Sequence, residues 1–148
     1  ICPCGNALHC IGKEESEQYT GITNLALDRI QDVTETIEDI APNTTDWGDF
    51  FDQMIGVSVV PNQEPLDLKL KFSAKRIPYV ITKPIHGASQ RLDKTDPEKR
   101  TIILNLLPNN EMYQAILSFG SDVEVLEPIE VKEKMKEIST TMKNYYDQ

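Results

Sequence analysis

Hydrophobic positions repeat in two different rhythms along this chain, and the clearer rhythms lie in its second half. Leu66, Leu68, Leu70 and Phe72 alternate with Asp67, Lys69 and Lys71, the period of two that marks a strand with one buried face. Ile102, Leu104 and Leu106 repeat the pattern within 100–107. Between these strands, residues 74–82 read as a helix, with Pro78 in its first turn or kinking it. Asn109 or Asn110 then caps a helix whose apolar stripe is Met112 or Tyr113, Ile116, Leu117 and Phe119, and Gly120 stops it. Residues 122–127 return to alternation through Val123 and Val125, and Pro128 opens a last helix where its missing N–H costs nothing. In that helix Val131, Met135, Ile138, Met142 and Tyr145 form a heptad-like stripe, too short for an independent coiled coil. Packing on its own sheet is the default for this stripe, and a two-fold partner is the alternative.

The first half is less regular. Residues 7–12 read as a short apolar strand, 13–18 as a charged turn, and 19–30 as one or two strands. Val33 and Ile37 supply apolar points for a further strand over 31–38. Residues 42–46 break the pattern, and Thr45 or Asp46 caps a short helix carrying Trp47, Phe50, Phe51, Met54 and Ile55 at helical spacing. Those aromatics read as core rather than as a cofactor box. The Pro-Asn-Gln-Glu-Pro stretch at 61–65 marks a linker or wide turn. The order strand, helix, strand, helix, strand, helix after it predicts an α+β body: a small antiparallel sheet covered by helices, ferredoxin-like.

Composition changes this picture in one respect. The net charge of −9 is unevenly spread: residues 1–62 hold 11 acids against two bases, whereas 66–100 hold nine bases against four acids. A generic nucleic-acid binder needs an overall basic face, so only Lys69, Lys71, Lys75, Arg76 and Lys83 qualify as a basic patch. That patch reads either as a solvated face or as a contact for the acidic first half or for nucleic acid. No apolar run approaches the ~20 residues of a membrane span. The start at Ile1, without Met or a signal sequence, reads as a fragment of a longer cytoplasmic protein.

Candidate chemistry is sparse. Cys2, Cys4 and Cys10 lie beside His9, yet Cys-x-Cys is tighter than a zinc knuckle, so no metal is expected. His86 and Ser89 are close in sequence, but there is no Gly-x-Ser-x-Gly elbow, Walker loop or His-Glu-x-x-His. The reading is therefore not an enzyme, with no cofactor. Arg29 is the only base in 14–62. It is either a salt-bridge partner of Asp28 or Asp32, or a reader of an anionic ligand, for which its planar fork suits phosphate and carboxylate.

Several segments in fixed order resemble a known family. They are Ile55-Gly56-Val57-Ser58, the strand 66–73, Pro78-Tyr79-Val80, Lys83-Pro84-Ile85-His86, Ser89-Gln90, Leu117-Ser118-Phe119-Gly120, and 122–128 with the helix after it. Together they resemble the C-terminal extension of WYL-domain transcription regulators. Leu25-Ala26-Leu27-Asp28-Arg29-Ile30 is similar to a strand of the WYL domain itself, and Leu8-His9-Cys10 stands where the namesake Trp-Tyr-Leu would be. The resemblance implies a partial Sm-like β-barrel module over residues 1–60 and the α+β extension over 61–148. It implies a ligand-sensing, oligomerising part of a bacterial regulator, without the helix-turn-helix head that contacts DNA. Arg29 and His9 would line the pocket for a nucleotide or single-stranded nucleic-acid effector, and the protein would be a homodimer. The alternative is an interaction and dimerisation module that has lost ligand binding. The incomplete barrel further predicts an open strand edge in residues 1–30, through which the chain self-associates.

Overall fold

The computed structural model describes residues 2–4, 7–15, 20–35, 37, 46–60 and 63–147; of residues 2–25 and Trp47 it describes the backbone only. Two antiparallel sheets are present. In the first, β1 (Cys2–Cys4), β2 (Ala7–Glu15) and β3 (Thr20–Ala26) run in that order. β1 folds back over Ala7–His9 of β2, so the module begins five residues before the expected Ala7 and covers part of the edge expected to be open. Beyond Ala26 the chain does not continue as a strand. Leu27–Arg29 is a 3-10 turn closed by the Ile30 N–H donating to the Leu27 carbonyl.

No strand forms over 31–35, while Thr36 and Glu38 lie outside the described residues. Val33 is 80% exposed, so the apolar points that suggested a strand there bury nothing. The Asp32 carboxylate also accepts the Val33 N–H at 2.8 Å, a local bond that competes with a ladder. Asp46 caps α1 (Trp47–Phe51), accepting from the amides of Gly48 and Asp49. The helix ends there, and Met54 and Ile55 belong to the irregular segment that follows.

The second sheet is built as the alternation requires. β4 (Leu66–Phe72) lies between β6 (Thr101–Leu106) and β7 (Val123–Glu127), and β5 (Arg91–Leu92) extends the far side of β6. With α2 (Ile77–Thr82) and α3 (Asn110–Leu117) as crossovers, this is the split βαβ order of ferredoxin-like bodies. Leu68, Leu70 and Phe72 of β4 and Ile102, Leu104 and Leu106 of β6 are all buried on one face. The helices complete that core with Ile77 and Val80, Met112 and Ile116, and Val131 of α4 (Ile129–Tyr146). Pro78 sits in the first turn of α2, and Pro128 caps α4 from just outside it.

The opposite face of this sheet is polar. Asp67 accepts from Asn105 and Arg91, Lys69 pairs with Glu127 at 2.9 Å, and Lys71 pairs with Glu98 at 2.6 Å. One irregularity makes the Glu127 pair available. The β4–β7 register jumps from Lys69↔Glu127 to Leu70↔Val125, leaving Leu126 as a bulge. Without it, strict alternation would put Glu127 on the same face as buried Val125.

Candidate functional site

The backbone brings the two expected ligand residues to one end of the first sheet. His9 in β2 is registered opposite Ala26, and Arg29 ends the turn three residues further on. Arg29 is exposed, and among the described residues it forms no ion pair with Asp28 or Asp32. The side chains of Cys2, Cys4, His9 and Cys10 lie outside the described residues.

Of the five bases of the expected patch, Lys69, Lys71 and Arg76 are each engaged by an acid. Lys69 and Lys71 lie on the polar face of the sheet and are engaged by Glu127 and Glu98. Lys75, Arg76 and Lys83 belong to the neighbourhood of α2, whose Ile77 and Val80 pack on the other face. Arg76 is locked in place: its Nε and a terminal nitrogen donate to Asp122 at 3.2 and 3.0 Å, and its guanidinium lies between the rings of Tyr79 and Phe119. The Ser73 hydroxyl and this guanidinium hold the Asp122 carboxyl below its ordinary range. Alternation along the sequence puts like charges near each other but carries no record of the acids that neutralise them.

A more constructed arrangement, unforeseen from the sequence, surrounds residues 53–58. Asn109 caps α3 by accepting the Met112 N–H at 2.8 Å, and its amide group donates to the carbonyls of Ile55 and Ser58 at 2.8 and 3.1 Å. Glu111, two residues on, accepts three bonds on one carboxylate oxygen: from the Val57 N–H, the Ser58 N–H and the Ser58 hydroxyl. Burial opposes the Glu111 charge, but these bonds outweigh it and the carboxyl is held below its ordinary value. Gly56 crosses the clamp with φ of +78°, and a Cβ there would come within 2.6 Å of the Glu111 side chain. Only glycine fits both conditions.

The same segment is held from a second side. The Leu107 N–H donates to the Gln53 carbonyl at 2.6 Å. His86 is buried beside the Met54 backbone, with its Nδ1 at 2.8 Å from the Ser89 hydroxyl. Ser89 in turn accepts the Asn105 N–H. The Ser–His closeness noted in the sequence is thus a packed pair, in which Ser89 links the His86 ring to the β6 backbone. Burial lowers the His86 pKa, with Asp52 opposing.

A groove of about 400 Å³ lies at the other end of the body, between α3, β7 and α4. Ile116, Val125, Met135 and Met142 line it, with Lys132 and Lys136 at its polar side. Past this groove α4 runs on, and Tyr145 and Tyr146 are 69% and 85% exposed.

A split βαβ sheet with a preceding segment clamped across the start of its second crossover helix, and a terminal helix overrunning the body, defines an α+β domain. The WCX domain profile matches residues 64–142, more than half of the chain, and the chain belongs to that family. The WCX domain is the C-terminal domain found in WYL-type regulators. No curated protein matches the chain. Among the described residues, no helix is long and apolar enough to cross a membrane.

Proposed function

We propose that this chain is the ligand-sensing and oligomerising part of a cytoplasmic, bacterial WYL-type transcription regulator, which reaches DNA through a helix-turn-helix part. The observation that carries the reading is the WCX match, which begins at residue 64, directly after the segment clamped on the body. In this reading residues 1–60 belong to an Sm-like WYL module. Arg29 offers an exposed guanidinium for an anionic effector, a nucleotide or single-stranded nucleic acid, with His9 beside it. Effector binding shifts the population of domain or oligomer arrangements. The exposed aromatics of distal α4 favour a second reading, a dimerisation module whose ligand site is lost. A ligand that binds the folded state raises the melting temperature. Short single-stranded oligonucleotides and nucleotides should therefore raise it for the parent chain and not for Arg29→Ala, with both melting alike when ligand-free. No shift in either protein would leave only the second reading.

A further inference from the structure

Residues 53–58, of which only Met54 and Val57 are buried, are attached to the body mainly through their backbone. The hydrogen bonds described above reach their main chain or the Ser58 hydroxyl, and they come from Leu107, Asn109 and Glu111 at the entry to α3. None is a ladder bond of the sheet. Met54 and Val57 are buried, at 4% and 8% exposure, yet neither belongs to the twelve-residue core that joins sheet and helices, and of this segment only the half-buried Ile55 packs against that core. The closed state also carries a cost. One Glu111 oxygen holds three donors while the other is buried with no partner among the described residues, and a buried unsatisfied acceptor is unfavourable.

We infer that residues 53–58 form a strap that detaches as a unit from a body that stays folded. Opening breaks the bonds to Leu107, Asn109 and Glu111 together, because they hold one continuous stretch of backbone. It leaves β4, β6 and their helices packed. On the reading proposed above, the strap is the link between the sensing module and the WCX body, so its opening is the two-state element that an effector biases. The strap itself is defined without any ligand, and its test is too.

Amide hydrogen exchange on the full, ligand-free chain at neutral pH separates the outcomes. The amides of Val57, Ser58 and Leu107 should exchange about 100-fold faster than those of inner strand β4, the mark of sub-global opening. Leu107 reports from the body side of the contact. Ser58→Ala removes one of the three donors to Glu111 and should speed these three positions several-fold further while β4 stays unchanged. Gly56→Ala should leave the strap open, with β4 still protected. Strap amides exchanging at the β4 rate, or β4 accelerating in step with them in Ser58→Ala, would overturn the inference. A strap that opens in a chain that binds no oligonucleotide or nucleotide would keep the strap and remove the sensing role.

Discussion

Asn109 uses three of its hydrogen-bonding positions at once, one to cap α3 and two to hold the carbonyls of Ile55 and Ser58. Removing the side chain orphans a helix donor and two acceptors in a site where Asn109 itself is buried. Asn109→Ala should therefore cost about 2–3 kcal/mol in urea unfolding. Asn109→Asp keeps the cap acceptor but sets a carboxylate against two carbonyls, so it should not recover the loss. Full recovery by Asp would mean that the cap alone matters. His86 gives a pH signature. Its folded-state pKa lies below the ordinary 6.5 because burial disfavours the charged ring, although Asp52 pulls the other way. The unfolded chain then binds the extra proton, so this contribution is complete above pH 6.5 and is lost as pH falls from there through the lowered value. Urea midpoints for the parent should fall between pH 7.5 and pH 5.5, and His86→Leu should flatten that slope. Equal slopes would place the titration elsewhere. Glu111 acts lower, below its ordinary 4.5, so the two groups separate on the pH axis.

At the scale of elements, α4 divides into two parts. Val131 is buried, Met135 and Ile138 are partly covered, and Met142, Tyr145 and Tyr146 are exposed. Val131→Ala should cost about 2 kcal/mol, whereas Tyr145→Ala in dilute protein should change stability by less than about 0.5 kcal/mol. The reverse order would show that the distal half packs on its own body. The stripe is legible in the sequence, and so are β4, β6, β7 and, to within one residue, the caps at Asp46 and Asn109, because strict alternation and capping chemistry are local signals. What the sequence concealed was non-local. β5 is two residues long, with no periodicity to detect. The Leu126 bulge appears only in the pairing with β4. The clamp joins positions more than fifty residues apart, and Asn109 and Glu111 read as ordinary first-turn helix residues. Arg29 fell in a turn, not a strand, because nothing in Leu27-Asp28-Arg29 distinguishes the end of an alternation from its continuation.

For the molecule as a whole, part of the expected open edge is unpaired among the described residues, since β1 reaches only Ala7–His9 of β2. Together with the exposed end of α4, it supports the expectation of a two-fold dimer formed through residues 1–30. Sedimentation from below one to tens of micromolar should show a concentration-dependent rise in mass, reduced by Tyr145→Glu if α4 assists. A monomer throughout would end that expectation.

The strand order has a consequence in time. β4 is an inner strand of its sheet, yet it is the first of the four to be synthesised, and its partners β6 and β7 follow only after the intervening helices. Synthesis proceeds at about 5–20 residues per second, so each nascent β4 passes seconds as a finished apolar strand with both edges bare. That is the condition under which neighbouring chains on one message pair wrongly. Asp67, Lys69 and Lys71, which later join the ion pairs of the polar face, put a charge at every second position of the waiting strand. Charges at that spacing are expected to disfavour pairing of β4 with its own copies until β6 and β7 arrive.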